Sequence, residues 1–437
     1  MISILLYLKG LTSMKKFFIY LIVFICAFFL FFYISMGSVL YCDEIWVYGF
    51  SHNILNGMMI YKDFNVLQMP LYFFISSFFL NVFGDKIISM HIFDCILIGF
   101  LFSISYKKYG CKSTSVLLLL IVGYSGYNLL SLFLFMIIFF LLSKDNDNDF
   151  LVGILIGLIF ITKQNIGLVL FFPYIYYSKK KLRSIFYFLI PFVIISFYFI
   201  ANKSFFVFID CVFGSMFDFN EHNKMITPIF FLVEICVIIH LIILFFKFRS
   251  RDKRILFVLF FQMMSYPIFD DKHIFLPLIP YFYLLYDYSF SLKQYWFLVV
   301  LIGYSFAFFP YQLKNIHMSS DIFFMRNDNN INFLFFQNIS NKQKQYDYIF
   351  IGDWYGYAYK LYYNIPINQY DFLLSGNAGY HGVQKRIKEI DNLCKEKLCL
   401  FVIRNKEFIQ WKEFNAYVKN NYQYIDNKYN FRFYKSW

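Results

Sequence analysis

Long apolar runs broken by short polar interruptions set the pattern of this chain. Stretches able to cross a bilayer are Phe17–Leu40, Ile87–Tyr106, Ser113–Tyr127, Leu129–Ser143, Phe150–Thr162, Ile166–Ser178, Ser184–Ala201, Ile226–Phe246, Ile255–Phe269, Ile274–Tyr288 and Tyr295–Tyr311. A spanning helix needs about 20 apolar residues. The four runs between 113 and 178 are shorter, and they come as two hairpins, so dropping either leaves the parity of the topology unchanged. The pattern predicts an all-α polytopic membrane protein with about eleven transmembrane helices. Leu67–Phe83 is apolar too, but it reads as a helix lying in the interface. A crossing there would move the clusters Lys107/Lys108/Lys112 and Lys179–Lys181 to the outer side.

Beyond Tyr311 the pattern changes. Asp347–Gly352 reads as a buried strand entering a turn, Leu398–Arg404 as another, and Val383–Lys395 between them has helical charge spacing. That predicts a small C-terminal α/β domain over 312–437, after a transmembrane domain over 14–311 whose first outer loop is 41–86. Met14-Lys15-Lys16 looks like a natural start, so residues 1–13 are expected to be dispensable. Phe17–Leu40 is too long for the apolar core of a signal peptide and no A-x-A site follows, so it reads as an uncleaved first span.

Composition and charge sharpen this reading. Of 437 residues, 60% are apolar and 15% charged, whereas a soluble domain runs near a quarter charged. A net charge of +13 would suggest nucleic acid, but much of it sits in short clusters between apolar runs. Cytoplasmic loops look like that, so no nucleic-acid partner is expected. With the N-terminus inside, seventeen basic residues fall on inner segments and six (Lys62, Lys86, Lys163, Lys203, Lys224 and Lys272) on outer ones. The expected protein is multi-pass in the plasma membrane, with its C-terminal domain outside. Its eight cysteines show no zinc spacing. Cys394 and Cys399, in the polar tail, could form a small disulfide in an oxidising compartment or remain two thiols.

Polar residues able to carry chemistry crowd the outer ends of the runs. Tyr41-Cys42-Asp43-Glu44-Ile45-Trp46 follows the first span; adjacent carboxylates there serve a solvated cap as readily as a reaction. Gly57–Phe64 then supplies Lys62 and Asp63. Lys163 lies at the outer tip of an apolar hairpin, followed by Gln164 and Asn165. An ionisable group at membrane depth usually faces a cavity or a partner, unless it snorkels to water. His91 and Asp94 share a helix face within a span. Burial against polar neighbours accounts for them, and for Glu234 and His240, as well as substrate contact does. Asp145–Asp149 contains D-x-D, but on a short turn with no nucleotide-sugar domain to hold it. Gly123–Gly126 is not a G-x-S-x-G elbow.

Together these segments resemble a known family. The pair Asp43-Glu44 after the first span, G-x-x-x-Y-x-D-F from Gly57 to Phe64, P-L-Y at Pro70–Tyr72 and Phe83-Gly84 resemble the first outer loop of GT-C glycosyltransferases. The protein O-mannosyltransferase and lipid A aminoarabinose transferase branch is the nearest match. Gly153–Gly167 resembles that branch's G-x-x-x-G-L-x-x-x-T-K segment, and Asp271–Pro280 its H-Y-x-x-P-x-x-P loop. Ile274 stands where that loop usually has Tyr, and His91 where the family commonly has Arg.

The resemblance implies an inverting glycosyltransferase that moves a sugar from a polyprenyl-phosphate carrier to a glycan, lipid or protein acceptor of the envelope, on the outer face. Such a transfer needs a carboxylate near the acceptor hydroxyl and cations around the leaving phosphate. Asp43 is the implied catalytic carboxylate, with Glu44 or Asp63 a second acid that orients the acceptor or a divalent ion. Substrate binding is expected at Lys62, His91, Lys163, Gln164, Asp271, Lys272 and His273. No metal site is expected from the sequence, and a divalent ion is the one cofactor left open. The alternatives are an envelope-polysaccharide polymerase or ligase, a flippase, and a non-catalytic scaffold. No internal repeat of the kind transporters show is found, and the acidic loop comes first rather than late.

Overall fold

In the computed structural model the apolar runs become helices almost throughout. The structure describes residues 2–35, 42–122, 126–143, 148–222, 225–248, 252–266, 268–288, 296–313, 329–353, 355–363, 365, 367–371, 373, 377–405, 411–428 and 430–436. The first part holds α1 (Ile2–Ser35), α2 (Cys42–Leu55), α3 (Leu71–Phe83), α4 (Ile87–Tyr109), α5 (Cys111–Thr114), α6 (Tyr127–Leu142), α7 (Asp149–Phe160), α8 (Gln164–Tyr177) and α9 (Lys181–Ala201). Then come α10 (Phe205–Ile209), α11 (Ser215–His222), β1 (Met225–Ile226), α12 (Pro228–Phe248), α13 (Arg254–Phe261), β2 (Ile268–Phe269), α14 (Asp271–Asp287) and α15 (Trp296–Leu313).

Among the described residues four helical stretches are long and apolar enough to cross a membrane: Met14–Ser35, Ile87–Tyr109, Lys181–Ala201 and Pro228–Phe248. Three of them leave large apolar side chains outside the bundle, as at Phe29, Phe197 and Phe246. α4 is mostly buried at the centre. The remaining expected spans are shorter helices, so the expected eleven is not matched by eleven full-length ones. The run Ser113–Tyr127 is the clearest departure. Its described part enters at the end of α5 and continues as a 3-10 helix, Ser115–Val122, while 123–125 lie outside the described residues. Thr114 Oγ donates to the Cys111 carbonyl at 2.7 Å, and such local bonds compete with a regular helix. The run Leu67–Phe83 contains α3, which has 13 residues and is therefore about 20 Å long.

Glycines set the closest helix approaches. A Cβ on Gly157 of α7 would lie 2.4 Å from the Phe188 carbonyl of α9, and one on Gly167 of α8 would lie 2.2 Å from Cα of Phe160. The glycines of the Gly153–Gly167 segment thus pack the α7–α8 hairpin and seat it on α9.

The tail adds α16 (Asn329–Gln343), β3 (Tyr348–Gly352), α17 (Tyr355–Tyr362), α18 (Gly382–Glu396), β4 (Cys399–Arg404), α19 (Lys412–Asn421), β5 (Gln423–Lys428) and β6 (Phe431–Lys435). The sheet order is β3-β4-β6-β5. β3 and β4 are parallel, with Tyr348 opposite Cys399; β6 runs antiparallel to both β4 and β5. The two strands and one helix read from the sequence are present, and the β5–β6 hairpin completes the sheet. Cys394 and Cys399 form a disulfide that ties the end of α18 to the start of β4.

Candidate functional site

Three helices, α6, α8 and α14, begin around one cavity of about 140 Å³. Its lining is Leu67, Gln68, Tyr127, Lys163, Gln164, Asn165, Met216, Phe219, Tyr266, Ile268 and His273. Helix N-termini carry unsatisfied N–H groups and partial positive charge, so they favour an anion. Lys163 and His273 add side-chain nitrogens to the same space, and Met216, Phe219 and Ile268 give it an apolar wall.

Lys163 Nζ donates to Asn128 Oδ1 at 2.8 Å and lies 6.0 Å from the centre of the Tyr127 ring. His273 Nδ1 is 2.7 Å from Asp270 Oδ1. The same oxygen accepts from the His273 backbone N–H at 2.9 Å, so Asp270 caps α14 and orients the imidazole together. β1 pairs with β2 in parallel, Ile226 with Phe269, which fixes the chain just before that cap.

The wall made by Leu67 and Gln68 is held from two elements of the helical domain. Gln164, buried, spends both amide hydrogens on the Leu67 carbonyl at 3.0 Å and the Val212 carbonyl at 3.2 Å. Tyr61 donates its hydroxyl to the Gln68 carbonyl at 2.6 Å. Burial pushes that phenol well above its usual pKa, so it stays a donor. Tyr61 sits in the left-handed region at φ 64°, with its ring against Phe199 and Phe208.

The other sequence-picked residues divide. Asp63 Oδ2 accepts the Met59 backbone N–H at 2.6 Å, and the Asp63 N–H donates to the Met59 carbonyl at 2.8 Å. Its carboxylate therefore shapes the turn that carries Tyr61. The Lys62 side chain is exposed. Glu44 is buried, with Oε1 3.7 Å from Nε2 of buried His91. Beside them Asp94 accepts from the Tyr72 hydroxyl at 3.0 Å and the Gly126 N–H at 3.1 Å. Asp43 lies in the first turn of α2, and Asp271 and Lys272 open α14; the side chains of these three lie outside the described residues. Lys163, Gln164 and His273 are thus brought together in the cleft, whereas Glu44 and His91 form a separate buried pair. Among the described residues no three of His, Cys, Asp and Glu gather as a metal site.

Sequence reasoning missed Tyr127, Asn128, Tyr266 and the Met216–Phe219 wall. The available signal was the apolar spacing of Phe205–Phe219, a stretch too short and too broken by polar residues to read as a span.

The chain shares its fold with solved structures. Two solved structures with this fold are ArnT from Cupriavidus metallidurans, one bound to undecaprenyl phosphate and one in the apo state. The first matches at TM-score 0.55 and 10% identity, covering 97% of this chain and 98% of that one. The second matches at TM-score 0.55 and 11% identity, covering 99% and 98%. No protein-family model matches the chain, and no curated protein matches it in sequence.

Proposed function

We propose that this protein is an inverting glycosyltransferase that takes a sugar from a polyprenyl-phosphate carrier on the outer face of the plasma membrane and hands it to an envelope acceptor. The observation that carries the reading is the cleft. Lys163, His273 and three helix N-termini converge on one small space with an apolar wall. That combination suits a phosphate joined to a hydrocarbon chain. ArnT, whose fold the chain shares, has been seen with undecaprenyl phosphate.

In this reading Asp43 is the general base that takes the proton of the acceptor hydroxyl, while Lys163, Lys272 and His273 meet the leaving phosphate. The outer face is supported by the distribution of basic residues and by the Cys394–Cys399 disulfide, since disulfides persist in oxidising compartments. Eleven crossings, the shorter helices included, would leave the N-terminus inside and the 312–437 domain outside.

The test uses the purified full chain in proteoliposomes with a radiolabelled polyprenyl-phosphate sugar and extracted envelope glycans, lipids and proteins as acceptors. The expected result is label in an acceptor fraction, with excess undecaprenyl phosphate competing. Movement of the labelled lipid across the bilayer without transfer would instead identify a flippase. The absence of both transfer and movement would also overturn the reading.

A further inference from the structure

The C-terminal tail reaches back across the bundle and grips the loop that forms one wall of the cleft. Asn377, fully buried, accepts the Leu67 backbone N–H on Oδ1 at 3.0 Å and donates Nδ2 to the Asn65 carbonyl at 3.3 Å. Asn65 answers by donating its own side-chain amide to the Gln369 carbonyl at 3.2 Å. From the last turn of α2, Asn53 donates to the Ile367 carbonyl at 2.9 Å, also buried. The residues after Asn377 fasten to the opposite wall. Ser215 accepts the Gly379 N–H at 2.9 Å, Asp210 accepts the Tyr380 N–H at 3.1 Å, and Asp218 accepts the His381 N–H at 2.7 Å. Gly379 has φ +92°, and a Cβ there would lie 2.4 Å from Asp210 Oδ2, so the crossing needs glycine.

The Leu67 backbone is therefore gripped on both sides: Asn377 of the tail accepts its N–H, and Gln164 beside Lys163 donates to its carbonyl. We propose that Asn377 is a positioning residue of the cleft, through which the tail holds the Leu67–Gln68 wall in the shape that admits the donor's phosphate end. This deepens the reading given under Proposed function and rests on it for the identity of the donor. The tail is on this account part of the binding site rather than an appended acceptor domain. The side-chain amide is suited to the task because it supplies an acceptor and a donor about two atoms apart, and it meets a backbone that offers one of each.

The experiment compares the full chain, N377L, N377D and the remote tail variant N392A in detergent. The first readout is hydrogen exchange at residues 65–69, which involves no donor. N377L leaves the buried Leu67 amide without its acceptor, and exchange there is expected to rise about tenfold, with α4 unchanged. N377D keeps an acceptor oxygen for Leu67 and is expected to recover most of the protection; N392A is expected to match wild type. Unchanged exchange in N377L overturns the inference whatever the donor is. So does exchange that rises equally throughout the bundle, which marks a general loss of stability. The second readout is binding of undecaprenyl phosphate. Wild-type binding weakened about tenfold in N377L and regained in N377D supports the inference; equal binding by wild type and N377L overturns it. Absence of binding by wild type overturns the polyprenyl-phosphate reading instead, and the exchange result still decides the role of Asn377.

Discussion

At its first turn α14 presents His273 to a cleft shared with Lys163; at its last turn, about 25 Å along the axis, Asp287 is locked into a closed polar network. There Arg254 pairs with both Asp287 and Asp252. The Tyr109 hydroxyl donates to Asp287 at 3.0 Å and the Tyr288 hydroxyl to Asp252 at 2.9 Å. The guanidinium also lies 5.0 Å from the centre of the Phe139 ring. One end of the helix thus spends its charges on its neighbours, joining α4, α13 and α14. The other end turns a lysine, a histidine and helix N-termini toward a cavity. Burying ion pairs gives no net stability unless every partner is satisfied, and the Arg254 network meets that condition. The cleft is lined by Lys163 and His273, with Asp270 holding the His273 ring. Charge at the first end is structural, and at the second the proposed function assigns it to a ligand.

The largest expected effect lies at the second end. Asp43→Asn removes the proposed base while keeping its shape, and transfer is expected to fall by about 10²–10⁴-fold. Glu44→Gln is its sequence neighbour and control. Glu44 is buried against His91, so this variant is expected to retain most of its transfer activity per folded molecule. A dead Glu44→Gln with an active Asp43→Asn would move the base by one residue. The next effect lies at the closed end. Arg254→Met leaves Asp252 and Asp287 facing each other at low exposure. The expected cost is about 3 kcal/mol of stability, seen as a lower unfolding temperature in detergent, with no change in turnover per folded molecule. A loss of turnover at unchanged stability would erase the distinction between the ends.

Part of the cleft end was legible in the sequence, whereas the Arg254 network at the other end was not. The apolar runs announce helices because a membrane chain must satisfy its backbone internally. Lys163 stood out because a charge at a hairpin tip is costly without a partner. Asp347–Gly352 and Leu398–Arg404 are recognisable as buried strands because both are short and dominated by apolar, β-branched or aromatic residues. What stayed hidden depends on distant pairing. Asn377 is a plain asparagine in a polar loop until Leu67, some 310 positions away in sequence, is placed against it. Asp63 reads as a second acid that orients the acceptor or a divalent ion, because a carboxylate in a family-like motif invites it. Its bond to the Met59 amide is a local turn that the spacing alone also allowed.

A middle-sized effect tests whether the cleft is the phosphate site. Lys163→Met keeps an unbranched side chain of similar length and removes the charge. Its bond to Asn128 is lost as well, so an Asn128→Ala variant serves as the reference. A cation beside a phosphate is expected to contribute about tenfold or more to affinity. Undecaprenyl phosphate binding should therefore weaken by at least about tenfold in Lys163→Met, and by less in Asn128→Ala. Equal weakening in the two would mean that the hydrogen bond, rather than the charge, shapes the site.

The smallest expected effect is the most discriminating for the first outer loop. The Asp63 carboxylate accepts one backbone N–H, that of Met59, and the bond needs an oxygen but no charge. Asp63→Asn retains an acceptor oxygen in nearly the same place. It is therefore expected to keep transfer within about twofold of wild type, because a hydrogen bond to a neutral acceptor contributes only about 1 kcal/mol less than one to a charged group. Asp63→Ala removes the acceptor and leaves the Met59 amide to find water. Stability is then expected to fall by about 1–2 kcal/mol, with the Tyr61 hydroxyl and the Gln68 carbonyl it holds shifting along with the turn. Donor affinity should weaken in step with that shift, measured on folded protein, while the rate at saturating donor stays near that of wild type. The opposite pattern, with Asp63→Asn as inactive as Asp43→Asn, would mean that the charge itself takes part in the reaction. Asp63 would then belong with the open end of α14, and the turn would be incidental to its role.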